Sequence, residues 1–591
     1  MILAKNVLLK LNTFLGLNCC NDGENELKSG ESPLMKNFLI TDGYKLKKRD
    51  GFSTVSILED EIRGIWYGSL KDSPLYVAVA GNNAYISKSG FDTLENGGVI
   101  NGNGRVFFFE FYSNLYIFSG SGIYEYAENG FSPIDAYRPL IMTQTLPKGT
   151  GILFEKINLL SGKMRQSFSS DGESLTYKLA FDNIESVDYV KLDGVLLPDH
   201  SYTSDPVSGT VSFLNAPPQL YPDCLEIGFT KDSGTENKIL SCKFASSFGG
   251  ANDTRVFLWG NPNYPAMRFF SELVDGSPSL SYFPETNFTF IGDGEPITHI
   301  MRHFDRQLIF TENSAYYSGL QTEENDGLLY ASFPVYPLSS QRGNILSSMA
   351  TLINNMPCTF DRDGIFGWQS TNVRDERNVF CISKRINELL TKEDIKKAYV
   401  YNDKDSGELY VCFENKTYVY NYGLDVFYFY DGFTAKCFCR DEKDLYFCNE
   451  KRIFRVGGKN DDGKAISSIW QSKYFDFDTK QYTKNLFSVT VGLKPSLNSF
   501  ANLEWSSDNA TQYVKGLAKI NVSLKSRLFS FLDMNFKSFS FNTSHTPKLI
   551  RRRLKVKRFA FLKLIIKNDL PESDAHILSL SLEGQINDAK I

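Results

Sequence analysis

The sequence predicts a mainly β protein: a β-propeller of about six blades, with an inserted small β-sandwich and a C-terminal β domain. Three observations predict it. Aromatic residues make up 14% of the 591, with 47 Phe and 31 Tyr, and such side chains favour pleated, half-buried surfaces. A short phrase recurs as Asn114-Leu-Tyr-Ile-Phe, Arg306-Gln-Leu-Ile-Phe, Glu408-Leu-Tyr-Val-Cys and Asp444-Leu-Tyr-Phe-Cys. With residues 140–236 set aside, it returns at roughly 40–50-residue intervals, the period of propeller blades. A β-sandwich also alternates strands with turns every 8–12 residues or so, so the period carries the distinction.

Residues 1–55 are polar and turn-rich, and are expected to form an extended arm with one or two strands. A polar terminus of this length frays unless something holds it. Lys47, Lys48 and Arg49 are its candidate docking residues. Residues 56–139 hold the first blades, with strand pairs at 62–67 with 75–87 and 105–111 with 115–126. Residues 140–236 break the repeat. Val187-Asp-Tyr-Val-Lys-Leu-Asp-Gly, Gly209-Thr-Val-Ser-Phe and Ala216-Pro-Pro read as short strands with turn punctuation, hence an inserted β-sandwich. Residues 237–460 hold the remaining blades. One helix is expected at 383–398, where charged residues surround Ile386, Leu389, Leu390 and Ile395. Residues 461–591 lack the blade phrase and are expected to form a separate β domain.

The net charge is −5, and a dedicated duplex-DNA binder would carry a strongly basic domain. The ten cysteines show no zinc-site spacing and are expected to be free thiols in a reducing cytoplasm. The apolar run near the N-terminus is interrupted by Lys10 and Asn12, with no small-residue cleavage site after it. No stretch reaches the ~18–20 apolar residues that span a bilayer. The expectation is a chain made in the cytoplasm with no membrane-spanning segment.

Candidate chemistry is sparse, and no catalytic residue, metal site or cofactor is assigned. His299 and His303 are four apart on a strand-like segment, which separates them by about 13 Å, too far for one metal. Asp361-Arg-Asp363-Gly364 and Asn460-Asp461-Asp462-Gly463 look like calcium loops but lack a full ligand set, and Asp-Gly is a common hairpin turn. Ser169-Ser-Asp-Gly-Glu lacks the rest of a sialidase box, and no nucleophile elbow or phosphate-binding loop is found. The strongest charge feature is residues 548–558, with seven basic residues in eleven. On a strand, Arg551, Arg553, Lys555 and Lys557 share one face, which would suit an acidic partner or a nucleic-acid backbone. A solvated strand beside acidic neighbours is the other reading.

Several phrases resemble the tail nozzle, or tail-stabilisation (tail tubular), β-propeller proteins of short-tailed bacteriophages. They are Leu15-Gly-Leu-Asn, Glu31-Ser-Pro, Asn37-Phe, Asp42-Gly and Lys47-Lys-Arg-Asp-Gly-Phe near the N-terminus. Further on come Arg255-Val-Phe-Leu-Trp-Gly-Asn-Pro-Asn-Tyr-Pro, Tyr282-Phe-Pro-Glu, Gly292-Asp-Gly-Glu-Pro-Ile-Thr, Gln307-Leu-Ile-Phe-Thr-Glu-Asn-Ser-Ala-Tyr and Ser472-Lys-Tyr-Phe-Asp-Phe. The resemblance covers most of residues 12–480 and includes no catalytic motif. It implies a structural virion protein, not an enzyme, assembled as a ring of commonly six copies at the distal end of the tail. The implied partners are other copies of the chain, tail adaptor or portal-proximal ring proteins, tail fibres and, transiently and without sequence preference, the genomic DNA in the channel. The alternatives are a tail-associated receptor- or glycan-binding propeller and, behind it, a propeller glycoside hydrolase.

Overall fold

The computed structural model describes residues 6–19, 26–127, 130–231, 234, 236–250, 253–325, 328–369, 379–507, 522–526 and 546–590. The chain is mainly β, and among the described residues helix is confined to short turns such as Asn237–Leu240 and Asn387–Leu390. It divides into two compact units, Gly68–Ala350 and the pair of segments Met1–Tyr67 with Thr351–Ile591.

The unit Gly68–Ala350 is built on four-stranded antiparallel sheets. The first runs Ile62–Leu70, Ser73–Ala80, Asn83–Ser87, Glu95–Val99, its opening strand carrying the unit boundary. The second is Phe107–Phe111, Asn114–Phe118, Ile123–Ala127, Gly130–Pro133. The third is Phe244–Gly250, Asp253–Trp259, Met267–Phe270, Phe288–Phe290, and the fourth Ile297–His303, Arg306–Thr311, Ala315–Ser318, Val335–Ser339. In both of the latter a two-stranded hairpin precedes the fourth strand.

The inserted segment lies between the second and third of these. Its six-stranded sheet has the order Ile152–Leu153, Leu140–Thr145, Lys163–Phe168, Leu225–Thr230, Ser186–Leu192, Val195–Leu196. A three-stranded sheet, Thr176–Lys178, Thr210–Phe213, Tyr202–Asp205, shares with it one apolar core that includes Phe168, Tyr177, Val190, Val211, Phe213, Ile227 and Phe229.

The other unit contains three more four-strand meanders. They are Thr351–Ile353 to Val379–Cys381, Tyr399–Asp403 to Val426–Asp431, and Cys437–Arg440, Leu445–Asn449, Arg452–Val456. The last is completed from the far end of the chain by Phe52–Ile57, antiparallel to Arg452–Val456. Seven such meanders therefore occur among the described residues, where the sequence suggests about six. The recurring phrase marks the second strand of its sheet. There residues 77–80, 115–118, 256–259, 308–310, 409–412 and 445–448 are buried throughout, as expected for a strand covered on both faces.

Four expectations are corrected. The described strands of residues 1–55 lie within sheets, not in an extended arm. Leu34–Lys36 lies between Val426–Asp431 and Ser468–Gln471 in a nine-stranded sheet. Leu46–Lys48 and Asn6–Leu11 both pair with His576–Lys590. The polar residues of this segment alternate with Phe14, Leu17, Met35, Phe38, Ile40 and Leu46, all buried. For the same reason the described residues of 461–591 do not stand apart: their strands complete sheets begun by residues 6–57 and 399–431. Thirdly, Cys437 and Cys448 stand directly opposite each other on neighbouring strands, with Cα atoms 5.5 Å apart, and form a disulfide. Residues 383–398 give two 3-10 turns and one short α-turn in place of a continuous helix, burying Ile386, Leu390 and Ile395.

Candidate functional site

The candidate docking residues sit where the N-terminal and C-terminal strands of one unit meet. Asn37 organises the place. Its backbone has φ 55°, a left-handed conformation that Asn tolerates better than most residues. Its N–H donates to the Phe429 carbonyl (2.8 Å). Its side-chain amide donates to the Ser467 carbonyl (2.8 Å), and its Oδ1 accepts from Arg49 Nε and the Asp431 N–H, both at 2.9 Å.

Arg49 is buried and satisfies its whole fork. Nη1 donates to Asp461 Oδ1 (2.8 Å) and the Asp50 carbonyl (3.0 Å). Nη2 donates to Asp461 Oδ2 (2.5 Å) and the Asp431 carbonyl (3.2 Å). The guanidinium also lies over the rings of Tyr430 (5.5 Å) and Phe433 (5.6 Å), a desolvated cation–π arrangement. Lys48 is likewise interior. Its ammonium donates to Asn568 Oδ1 (3.0 Å) and the Ser573 carbonyl (3.2 Å). Burial pushes it down to about 8. Of the three expected docking residues only Lys47 reaches solvent, and it pairs with Asp50 at 3.2 Å. Lys48 and Arg49 thus act as internal braces, because partners far along the chain, invisible to sequence spacing, enclose them.

The basic segment forms strand Lys548–Phe559, paired with Tyr482–Leu493. Ile550, Leu554 and Val556 point inward and are buried. Arg551, Arg553 and Lys557 are exposed, as are Arg552 and Arg558; the Lys555 side chain lies outside the described residues. Arg551 forms an ion pair with Glu583 and donates through Nε to Ser488 Oγ (3.3 Å). One member of the expected basic face is therefore engaged by an acidic neighbour within the chain.

A second polar cluster in the same unit had no sequence signature. The Glu408 carboxylate accepts from the hydroxyls of Tyr410 (2.7 Å) and Tyr428 (3.0 Å). Burial raises its pKa above the usual carboxylate range, and those hydroxyls pull it back. Nearby, Asp403 holds Arg440 at two points, 2.7 and 2.5 Å. In the other unit Asn158 clamps the insertion to its host sheet. It donates to the carbonyls of Tyr137 (2.9 Å) and Ser281 (2.8 Å) and accepts from the N–H of Phe283 (3.0 Å) and Leu160 (3.1 Å).

The remaining candidates resolve into local structure. His299 packs edge-on to Trp259, and burial pushes its imidazole down to about 3. His303 packs against Phe304. Asp361-Arg-Asp363-Gly364 is a hairpin turn between two buried strands, and in the second such loop Asp461 is committed to Arg49. Asp171 caps its own turn through the N–H groups of Glu173 (3.0 Å) and Ser174 (2.7 Å). Among the described residues no group of three or more His, Cys, Asp or Glu is placed to hold a metal, and no helix is long and apolar enough to cross a membrane.

A scan against models of known protein families gives no match, and a search of curated proteins gives none. Among solved structures the chain is similar to the AfRom2 CNH domain, at 7% identity over 69% of this chain and 99% of that one, with a TM-score of 0.35. It is similar to a chain in a crystal structure of the mitotic checkpoint complex at 7% identity, covering 69% of this chain and 93% of that one, TM-score 0.30. An extracellular domain of a one-component system from B. thetaiotaomicron matches at 12% identity over 95% of this chain and 98% of that one, TM-score 0.17. At these scores the likenesses carry no argument.

Proposed function

We propose that this chain is a structural virion protein, a subunit of the distal nozzle ring of a phage tail through which DNA is retained and released. The observation that carries the reading is where the resembling phrases fall. Gly16 lies against the Phe427 carbonyl, where an added Cβ would come within 2.8 Å. Ser32 donates to the Leu34 and Gln471 carbonyls, and Asn37 and Arg49 form the brace described above. In the other unit Asn261 turns its own loop and bonds the Asn237 and Lys238 carbonyls, Tyr282 bonds the Lys156 carbonyl, and Gln307 receives Arg268. The phrases are thus framework, as a mechanical subunit requires.

On this reading the seven meanders are propeller blades, one more than the sequence count. The pairing of Phe52–Ile57 with Arg452–Val456 is the way a propeller ties its first and last blades. The exposed Arg553 and Lys557 would face an acidic neighbouring protein. Each phosphate neutralised adds salt-dependent affinity, which would slow DNA in transit. Electron microscopy of the purified protein, and of particles, tests the reading. A ring of chains at the tail's distal end is expected; a monodisperse chain that never enters virions would overturn it.

A further inference from the structure

The inserted six-stranded sheet ends, on both sides, in a two-residue strand bearing bare apolar side chains. At one edge lies Ile152–Leu153, paired on its inner side with Leu140–Thr145. Ile152, Leu153 and the following Phe154 are 56%, 74% and 64% exposed. At the opposite edge lies Val195–Leu196, paired on its inner side with Ser186–Leu192. Val195 and Leu196 are 68% and 62% exposed. Neighbouring side chains of a strand alternate between its faces, so each edge is apolar above and below the sheet.

Proteins guard free sheet edges with charge, proline or a cover, because an edge offers unpaired backbone N–H and C=O groups to another strand. The run Thr150-Gly-Ile-Leu-Phe has neither charge nor proline. The charges instead flank the two edges with opposite sign. Lys148 and Lys156, both exposed, bracket the first edge. Asp193 and Asp199, both exposed, bracket the second. Lys191, directly opposite Leu196 on the neighbouring strand, pairs with Glu226 (3.9 Å) and lies over the ring of Tyr189. Glu155, beside the first edge, is likewise drawn inward, by Tyr137 and the Leu140 N–H.

We infer that the Ile152–Leu153 edge of one copy docks on the Val195–Leu196 edge of the next, joining inserted sheets head to tail between copies of this chain. The inference rests on the ring reading above and names the surface that reading leaves open. Two different, complementary edges on one subunit give a heterologous contact, the type that closes into rings and does not stop at dimers. Lysines bracketing one edge and aspartates bracketing the other set the pairing of unlike edges and oppose the pairing of like ones.

Two substitutions at exposed positions test it in the full chain. Light scattering on the wild type is expected to give an assembly of several copies. Leu153→Asp and Leu196→Asp each damage every head-to-tail contact, so each variant alone is expected at the mass of one chain. Mixed, they retain one intact pair of edges, so the mixture is expected to shift to twice that mass and go no further. The twofold shift also shows that both variants remain folded. A wild-type assembly that survives either substitution, or a mixture that stays at single-chain mass, would overturn the inference. In either case a wild-type ring seen by microscopy would leave the nozzle reading standing. A wild type at single-chain mass, with no ring in particles, would remove both.

Discussion

Arg49 and Asp461, 412 positions apart in the sequence, meet in a two-point ion pair with Nη–Oδ distances of 2.8 and 2.5 Å. The arginine side chain is almost wholly enclosed and the aspartate mostly so. Bidentate geometry of this kind is what guanidinium provides and ammonium does not. Arg49→Ala should therefore cost roughly 3–5 kcal/mol, because it strands the enclosed Asp461 carboxylate without its donor. Arg49→Lys should recover only part of that. Denaturant unfolding of both variants measures the difference, and an Arg49→Lys protein as stable as the wild type would contradict the two-point geometry.

Lys48 gives the chain a pH dependence of defined sign. Its folded value of about 8 lies below the ordinary 10.5. Below pH 8 the ammonium is charged in both states, and the folded protein bears the full cost of burying it. Between pH 8 and 10.5 the unfolded chain binds the proton and the folded chain does not, so stability rises with pH across that window. The gain is on the order of 3 kcal/mol. Unfolding midpoints for wild type and Lys48→Met at pH 7, 8, 9 and 10 isolate it: the variant should lack the rising limb, which should remain in the wild-type-minus-variant difference.

Gly51 is fixed by closeness of backbone to backbone. A Cβ there would lie 1.9 Å from the Asn460 carbonyl oxygen, an atom that has no rotamer by which to retreat. Gly51→Ala should destabilise by about 1–3 kcal/mol, as overpacking does. A melting temperature unchanged by the substitution would mean that the two segments can part without loss.

Asn158→Leu should loosen the insertion while sparing its host. The buried N–H groups of Phe283 and Leu160 lose their acceptor, each worth about 1–3 kcal/mol when left unsatisfied, and the Tyr137 carbonyl loses this donor. Hydrogen exchange should quicken in residues 140–160 and 281–285. Protection of the Asp253–Trp259 strand should be unchanged.

The disulfide predicts a thiol count. Alkylation of the denatured, unreduced chain should leave Cys437 and Cys448 unlabelled, and prior reduction should add both. Peptide mass mapping reads this directly.

The second strand of each sheet was legible because burial on both faces demands an unbroken apolar phrase, as in Leu409-Tyr-Val-Cys. Its neighbours were not separable. Residues 75–87 read as one alternating strand, yet a two-residue turn at Gly81-Asn82 divides them into Ser73–Ala80 and Asn83–Ser87. The N-terminal segment was misjudged for a different reason. Lys48, Arg49 and Asn37 look like solvated polar residues, and only distant partners such as Asn568, Ser573 and Asp461 make them interior. Periodicity reports which face of an element is covered, and carries no information about what covers it. The pairing of Cys437 with Cys448 was accessible in principle, since the two lie at opposed positions of a short hairpin.

The sharing of sheets between the two ends of the chain bears on how the protein is made. Lys48 waits for Ser573, 525 positions later, and Asn6–Leu11 waits for His576–Lys590. On the ribosome, the insertion and its neighbouring sheets can close as they emerge, while Asn6–Leu11 must remain without this partner until His576–Lys590 has been made. Such late, long-range closure is slow and exposes strand edges to aggregation. A chain terminated before His576 would carry Asn6–Leu11 and Leu46–Lys48 with nothing to complete them.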